Sequence, residues 1–443
     1  MFSIKNAIKI KARFQKTVLK ISRKTGQFLK KISKLTKFTE VYHLPMKDID
    51  SILHSEYIID GIRMEATPAQ LLGDCMPAGQ TEQPEKDSYP PIVDEPSDPV
   101  PGSARYSTDN TGTYLAAITG ASGKQRDIPA EYSGPFTRMA IARTLIDTLW
   151  KEGHFSLEDI EGKISWEWDC SPVGNMAAFY FSAEAAGQYL YDLGVRLSGY
   201  AITGSSAGNR ICLDSLEIHR DTIFTAAAAE DPEPVLGESC QDEAEDYPEY
   251  TESEKDIPQK RKCPDSVLPD GKSWIIYIPF DTCQFKLGGS LLAEKFGSNG
   301  DNAPEIKDPD YFIDCFEVLR ELVEDGVVIS GTTVSDGGLA CAAEHICREN
   351  GCTIDLKGIE TAYMEKDIIR ILFAEVPGVI IQIRDSDYDY VDAQLLLQDI
   401  AYYPLGHPDP SMKGIRISES GRPDVFSILE ALLNNPSTSE GED

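Results

Sequence analysis

The run SWIIYIPFDTCQFKLGGSLLAEKF (residues 273–296) and the later run VVISGTTVSDGGLACAAEHICRENG (residues 327–351) decide the fold. In each, a short apolar stretch passes through glycines into helix-forming residues. Trp274 to Ile278 has the β-branched and aromatic content of a buried strand, within an expected span Ser273–Phe280. Lys286-Leu287-Gly288-Gly289-Ser290 then opens a short helix through Phe296. Val327 to Ile329 is a second strand. Ser335-Asp336-Gly337-Gly338 caps a helix running to Asn350, with Gly351 as its stop. Between them, Asp308-Pro309-Asp310 starts a helix that carries Phe312, Phe316, Leu319 and Val323 on one face and ends at Gly326. A strand at Val379–Ile383, a helix over 388–399 and a last helix near Pro423–Leu433 follow. Strands alternating with helices mean an α/β or α+β class.

Upstream, Phe136–Lys151 has a helical pattern and Ile164–Trp168 a strand-like alternation. A helix from about Ser182 to Leu193 is followed by Gly194 and Gly199. Two folded blocks result, 103–228 and 267–433. Residues 229–266 separate them. Twelve carboxylates and one Lys lie between Glu230 and Asp256, followed by Lys260-Arg261-Lys262. That composition predicts a disordered acidic insertion, and no spacing in it resembles a calcium loop. Residues 41–102 read as a linker, with one apolar pattern at Ile49–Leu53 and seven prolines from Pro77 to Pro101. Residues 434–443 read as a disordered tail.

The charge is divided unequally. The chain has 443 residues and a formal charge of −31, yet residues 1–39 hold twelve Lys or Arg and no acid. The folded body is therefore strongly acidic, which argues against nucleic-acid binding by it. Residues 1–40 form a basic amphipathic extension. Ile4, Ile8, Phe14, Val18, Ile21, Phe28, Ile32 and Leu35 recur at helical steps with lysines between them. Docking on the chain's own body, contact with an anionic membrane or receptor, an organelle transit role and RNA binding all fit that pattern. No run reaches the ~18 apolar residues of a membrane span. The ten cysteines are scattered without a Cys-x-x-Cys pair, as expected of reduced thiols. A cytoplasmic location is expected, or an organelle reached through the arm.

The glycine-rich helix starts are the candidate site: Gly288, Gly289 and Ser290, then Ser335, Asp336, Gly337 and Gly338. A helix start leaves backbone N–H groups unpaired, and glycine lets a phosphate approach them. Asp336 could add a ligand for Mg²⁺. An ordinary cap and tight turn is the plainer alternative.

Seven stretches in a fixed order carry a resemblance. They are Gly123-Lys124-Gln125, Arg138-Met139-Ala140, Trp166-Glu167-Trp168, Leu193-Gly194-Val195, Lys286 to Ser290 with Leu292-Ala293-Glu294, Val334 to Leu339, and Leu372 to Gly378. From Ile118 to about Pro404 the chain resembles phosphoribosylformylglycinamidine synthase of purine biosynthesis. It is similar to the second of the two aminoimidazole-ribonucleotide-synthase-like halves of the large form. The resemblance implies an α+β fold of one N-type domain (103–228) and one C-type domain (267–433), with mixed sheets covered by helices. It also implies ATP and Mg²⁺ as cofactors and another synthase-like half or an assembly as partner.

The departures from the family are specific. The resemblance places a magnesium-binding Glu and Asn where this chain has Arg143 and Asp147. It places a Lys and an Asp near Ala201-Ile202-Thr203, and a His-Asp pair at Thr332-Thr333. Arg143, Asp147, Ala201, Ile202, Thr332, Thr333 and Asp336 would then frame the nucleotide pocket, with Asp147 and Asp336 as the candidate metal ligands. Arg cannot ligate Mg²⁺. No glutaminase-type cysteine is evident. No catalytic residue is therefore assigned. The expectation is a noncatalytic relative that acts through protein–protein binding, and such an isolated half should expose an apolar face. The alternatives are an ATP-dependent C–N ligase subunit completed by other chains, and a structural component of an organelle assembly.

Overall fold

A computed structural model describes residue 49 and residues 51–77, 89–99, 101–121, 126–219 and 261–418. The readings of residues 1–40, of Gly123-Lys124-Gln125, of the acidic run, of the helix at 423–433 and of the 434–443 tail lie outside them.

The first elements fall where a linker was expected. They are helix α1 (Ser51–His54), strands β1 (Tyr57–Ile59) and β2 (Ile62–Arg63), helix α2 (Pro68–Gly73) and strand β3 (Ile92–Asp94). The strands form a small sheet in the order β2-β1-β3, with β1 and β3 parallel. Ile52, Leu53, Tyr57, Leu72 and Ile92 belong to the same core as the block that follows. The linker reading of 41–102 is corrected over these residues. Its short apolar pieces, unremarkable one by one, find their partners far along the chain.

The N-terminal block continues with α3 (Thr111–Thr119), α4 (Ser133–Ile146), β4 (Ile160–Trp168), α5 (Asn175–Asp192), β5 (Arg196–Gly204) and β6 (Arg210–Ile218). A 3-10 turn, Asp147–Trp150, extends α4. Helix α5 starts seven residues before the expected Ser182. The Asp94 carboxylate accepts the N–H groups of Gly174, Met176 and Ala177 at 2.9–3.0 Å, capping that start from outside the local sequence. The sheet order is β5-β4-β6, with β5 parallel and β6 antiparallel to β4. Gly199 lies inside β5 and does not end an element. Along β4 the core residues Ile164, Trp166 and Trp168 alternate with Lys163, Ser165 and Glu167. The open face of that strand is therefore polar.

The C-terminal block comprises β7 (Trp274–Pro279), α6 (Leu291–Phe296), α7 (Pro309–Glu324), β8 (Val328–Val334), α8 (Gly338–Ile346), β9 (Gly351–Ile354), α9 (Lys357–Tyr363), α10 (Ile368–Phe373), β10 (Gly378–Ile383), α11 (Tyr388–Leu397), β11 (Tyr403–Gly406), β12 (Pro408–Asp409) and β13 (Ile415–Ile417). The main sheet is antiparallel throughout, β11-β7-β10-β8; a small sheet joins β12, β9 and β13. Helix α8 stops at Ile346, four residues early, and Gly351 begins a strand instead of ending a helix. Strands β7 and β10 are buried on both faces. Ile276, Ile278, Val379 and Ile381 face the core shared with the first block, while Ile275, Tyr277 and Ile380 face a second core under α8 and α10. This is an α+β fold of mixed sheets covered by helices.

The end of the expected acidic insertion is also ordered. Lys262 N–H donates to Trp150 O at 2.6 Å, Gly331 N–H donates to Pro264 O at 3.0 Å, and the Arg261 guanidinium lies 5.2 Å from the Trp150 ring centre. Residues 261–266 are a packed strap across the two blocks. Arg320, buried on α7, ties the same place by donating to the carbonyls of Leu149 and Lys151.

Candidate functional site

Both glycine-rich helix starts meet at one side chain. The Glu375 carboxylate, 1% exposed, accepts the N–H of Leu291 at the head of α6 and the N–H of Gly337 before α8, each at 2.9 Å. Helix starts favour an anion there. In this chain the anion is a residue of the protein itself. Glu375 follows α10 and leads into β10, the strand that lies between β7 and β8 in the sheet. That placement aims it between the two helices that follow β7 and β8.

Local structure explains the glycines. Gly338 has φ +68°, and a Cβ there would come within 2.6 Å of Ala374 O and 2.8 Å of Leu372 O. Helix α8 can sit against the Glu375 segment because position 338 has no side chain and tolerates left-handed backbone. Ser290 does cap its helix, its hydroxyl accepting Ala293 N–H at 3.2 Å. Neither Ser335 nor Asp336 caps α8.

Two arginines complete the cluster. Arg126 Nη1 donates to both Glu375 oxygens at 3.0 and 2.8 Å, and lies 3.4 Å from Asp336 Oδ1. It also donates to Gly289 O and pairs with Glu294. Arg143 Nη1 donates to Asp336 Oδ1 at 2.8 Å, and its Nη2 to Glu375 O at 3.3 Å. Burial opposes the Arg126 charge, but the Glu375, Asp336 and Glu294 carboxylates more than offset it and hold its pKa above the ordinary value. The groups Arg126, Arg143, Asp336, Glu375 and Glu294 neutralise one another to within one charge.

Asp147 has other partners. It accepts the Thr333 hydroxyl, whose oxygen in turn accepts Trp150 Nε1–H at 3.0 Å. Desolvation lifts its pKa, against the opposing pull of that hydrogen bond and of Arg261, Lys151 and Arg143. Asp336 and Asp147 thus serve different local networks. The residues present do not fit the implied magnesium. An arginine stands between the two candidate ligands, and among the described residues no group of three or more His, Cys, Asp or Glu could hold a metal ion.

Of the expected pocket frame, the structure joins Arg143 with Asp336 and Asp147 with Thr333. Ala201 and Ile202 lie on β5 opposite Ser165 and Trp166, and Ile202 is in the core. A cavity of about 710 Å³ opens beside the arginine cluster, with Arg126, Tyr132, Gly289, Lys295 and Asp336 in its wall. Thr332 and Thr333 do not line it.

Sequence reasoning passed over Glu375 and Arg126 as site residues. Glu375 did carry a signal. It is the lone charge in the apolar run Leu372–Val376, and a charge inside such a run is normally paired. Arg126 carried none.

Parts of the chain are similar to known proteins. Residues 285–400 match the family described as AIR synthase related protein, C-terminal domain. Human phosphoribosylformylglycinamidine synthase is 24% identical over 270 residues, covering 61% of this chain and 18% of the human protein. The probable chloroplastic/mitochondrial phosphoribosylformylglycinamidine synthase of Arabidopsis thaliana is 24% identical over 274 residues, covering 61% and 17%. The solved structure of T. maritima PurL complexed with ATP matches with a TM-score of 0.42 at 11% identity, covering 71% of this chain and 47% of that one. The chain spans less than a fifth of the length of the two curated relatives.

Proposed function

We propose that this chain, a member of the AIR synthase-related family and a relative of phosphoribosylformylglycinamidine synthase, is a noncatalytic branch that keeps the half-synthase fold for binding another protein. One observation carries the reading: Arg143, where the resemblance places a magnesium-binding Glu, holds Asp336 in an ion pair at 2.8 Å. Its charge repels a divalent cation from that position. Beside it, a phosphate at the two helix starts would have to displace the buried, hydrogen-bonded Glu375 carboxylate, at a cost of several kcal/mol.

Titration calorimetry with ATP-Mg²⁺ tests the proposal. Affinity no tighter than about 1 mM, near −4 kcal/mol, is expected, together with no ATP turnover. Micromolar binding, or turnover that appears when other synthase subunits are added, would overturn it in favour of a working ligase subunit.

A further inference from the structure

Helix α11 presents an apolar face to solvent. Leu396 is 64% exposed, Leu397 77% and Tyr390 47%, with exposed Ala393 on the same side. Opposite it, Val391 and Leu395 anchor the helix in the core. Three large apolar side chains on one short helix exceed the scattered singles of an ordinary surface.

Acid lies on the same pair of helices. Helix α7 packs beside α11 and turns Asp310, Asp314, Glu317 and Glu321 away from the core at successive helical steps. Asp389 and Asp399 flank the apolar residues on α11 itself. None of these six carboxylates forms an ion pair with a described residue.

The same chain holds the complement. Residues 1–39 carry twelve Lys or Arg, no acid, and an apolar stripe at helical spacing. They lie outside the described residues, and the connection from 40 to 48 reaches about 30 Å when extended. From α1 the contacts run through α2 and α5 to α7, three packing steps of about 8–10 Å each. The arm can reach this face.

We propose that the basic arm, residues 1–39, docks on the α7–α11 face of its own chain. Its apolar stripe covers Tyr390, Leu396 and Leu397, and its lysines lie along these carboxylates. Charge sets the register and apolar burial supplies the affinity.

Zero-length carbodiimide cross-linking of the full chain, read by peptide mass spectrometry, tests this. Arm lysines should join Asp310, Glu317, Glu321 or Asp389, and yield should fall at least tenfold in 0.5 M NaCl. Leu396→Ser/Leu397→Ser should lower the yield at least tenfold with an unchanged melting temperature, because both side chains stand in solvent and no carboxylate is added. Glu317→Lys/Glu321→Lys should do the same without touching the apolar face. Isotopically light and heavy chains, mixed, should give only light–light and heavy–heavy products. Mixed products would mean exchange between copies and would overturn the same-chain assignment. Cross-links mainly to the acidic run at 230–256, or a yield indifferent to both variants, would overturn the site. So would a chain that gives no such cross-links and instead binds phosphatidylserine vesicles.

Discussion

Removing the internal carboxylate should turn a filled site into an empty one. In Glu375→Ala, the N–H groups of Leu291 and Gly337 lose their acceptor, and Arg126 loses its strongest partner. Asp336 remains, but now faces two arginines. Breaking a buried pair by truncating one partner costs about 3–5 kcal/mol. At about 2–4 °C per kcal/mol for domains of this size, the melting temperature should fall by roughly 10 °C. The loss should be repairable from solution. Two helix-start N–H groups and two guanidinium groups would converge on vacant space, so inorganic phosphate should bind there. At ten times its Kd, phosphate should restore about 1.4 kcal/mol. Phosphate also stabilises proteins generally by exclusion, so the measurement is the excess over the unmodified chain at equal ionic strength. Differential scanning fluorimetry across a phosphate series, with chloride as control, gives that excess. Equal phosphate stabilisation of both chains would refute the reasoning, since the unmodified slot would then be open. Glu375→Gln should lose less, because its amide oxygen can still accept both N–H groups.

Other outcomes follow from neighbouring contacts. Arg143→Glu should lower stability by about 3 kcal/mol or more in thermal unfolding, because it puts a carboxylate against Asp336 and Glu375. Arg143→Glu with Ala201→Lys and Thr333→Asp removes the charge that repels Mg²⁺ and should improve ATP-Mg²⁺ affinity in calorimetry; no improvement would mean that the pocket is closed to the nucleotide. Arg261→Ala should cost about 1–2 kcal/mol through its lost contacts with Trp150 and Gly331 O, measured by urea unfolding. The folded-state pKa of Asp147 lies above 3.8, so its ionisation opposes folding as pH rises through that window. Asp147→Asn should therefore flatten this part of the stability–pH curve, with the difference from the unmodified chain shrinking in acid. Cys212 is the exposed thiol among the described cysteines, and iodoacetamide mapped by mass spectrometry should label it before the buried Cys75, Cys315, Cys347 and Cys352.

What was legible in the sequence was local. Gly288-Gly289-Ser290 and the strand Trp274–Ile278 are recognisable because cap chemistry and β-branched content act within a few residues. The start of α5 was misplaced because its cap, Asp94, lies 80 residues upstream of Gly174. The same distance problem hid the site's occupant. The helix starts at Gly288–Ser290 and Ser335–Gly338 looked like open phosphate positions because Glu375, which accepts the Gly337 and Leu291 N–H groups, arrives 38 and 84 residues after those two residues. Arg126 is 249 residues from that carboxylate. The short apolar pieces of 51–77 read as linker because their burial depends on α5 and not on their own length.

The strand order of the C-terminal sheet also bears on how the chain survives its own synthesis. Strand β7 is made first, yet its neighbours in the sheet are β10 and β11. About a hundred residues separate Pro279 from Gly378, or roughly 5–20 s at common elongation rates. During that interval Trp274–Ile278, apolar and uncharged, has neither strand partner available. Such a window is a template for pairing between nascent chains. Its flanks resist this: Asp270 and Lys272 stand on one side, and Pro279 and Asp281 on the other. Charges and a proline at the borders of an unavoidable apolar strand discourage intermolecular growth. A neutral replacement at exposed Lys272 should therefore lower soluble yield more than it lowers the stability of the finished fold.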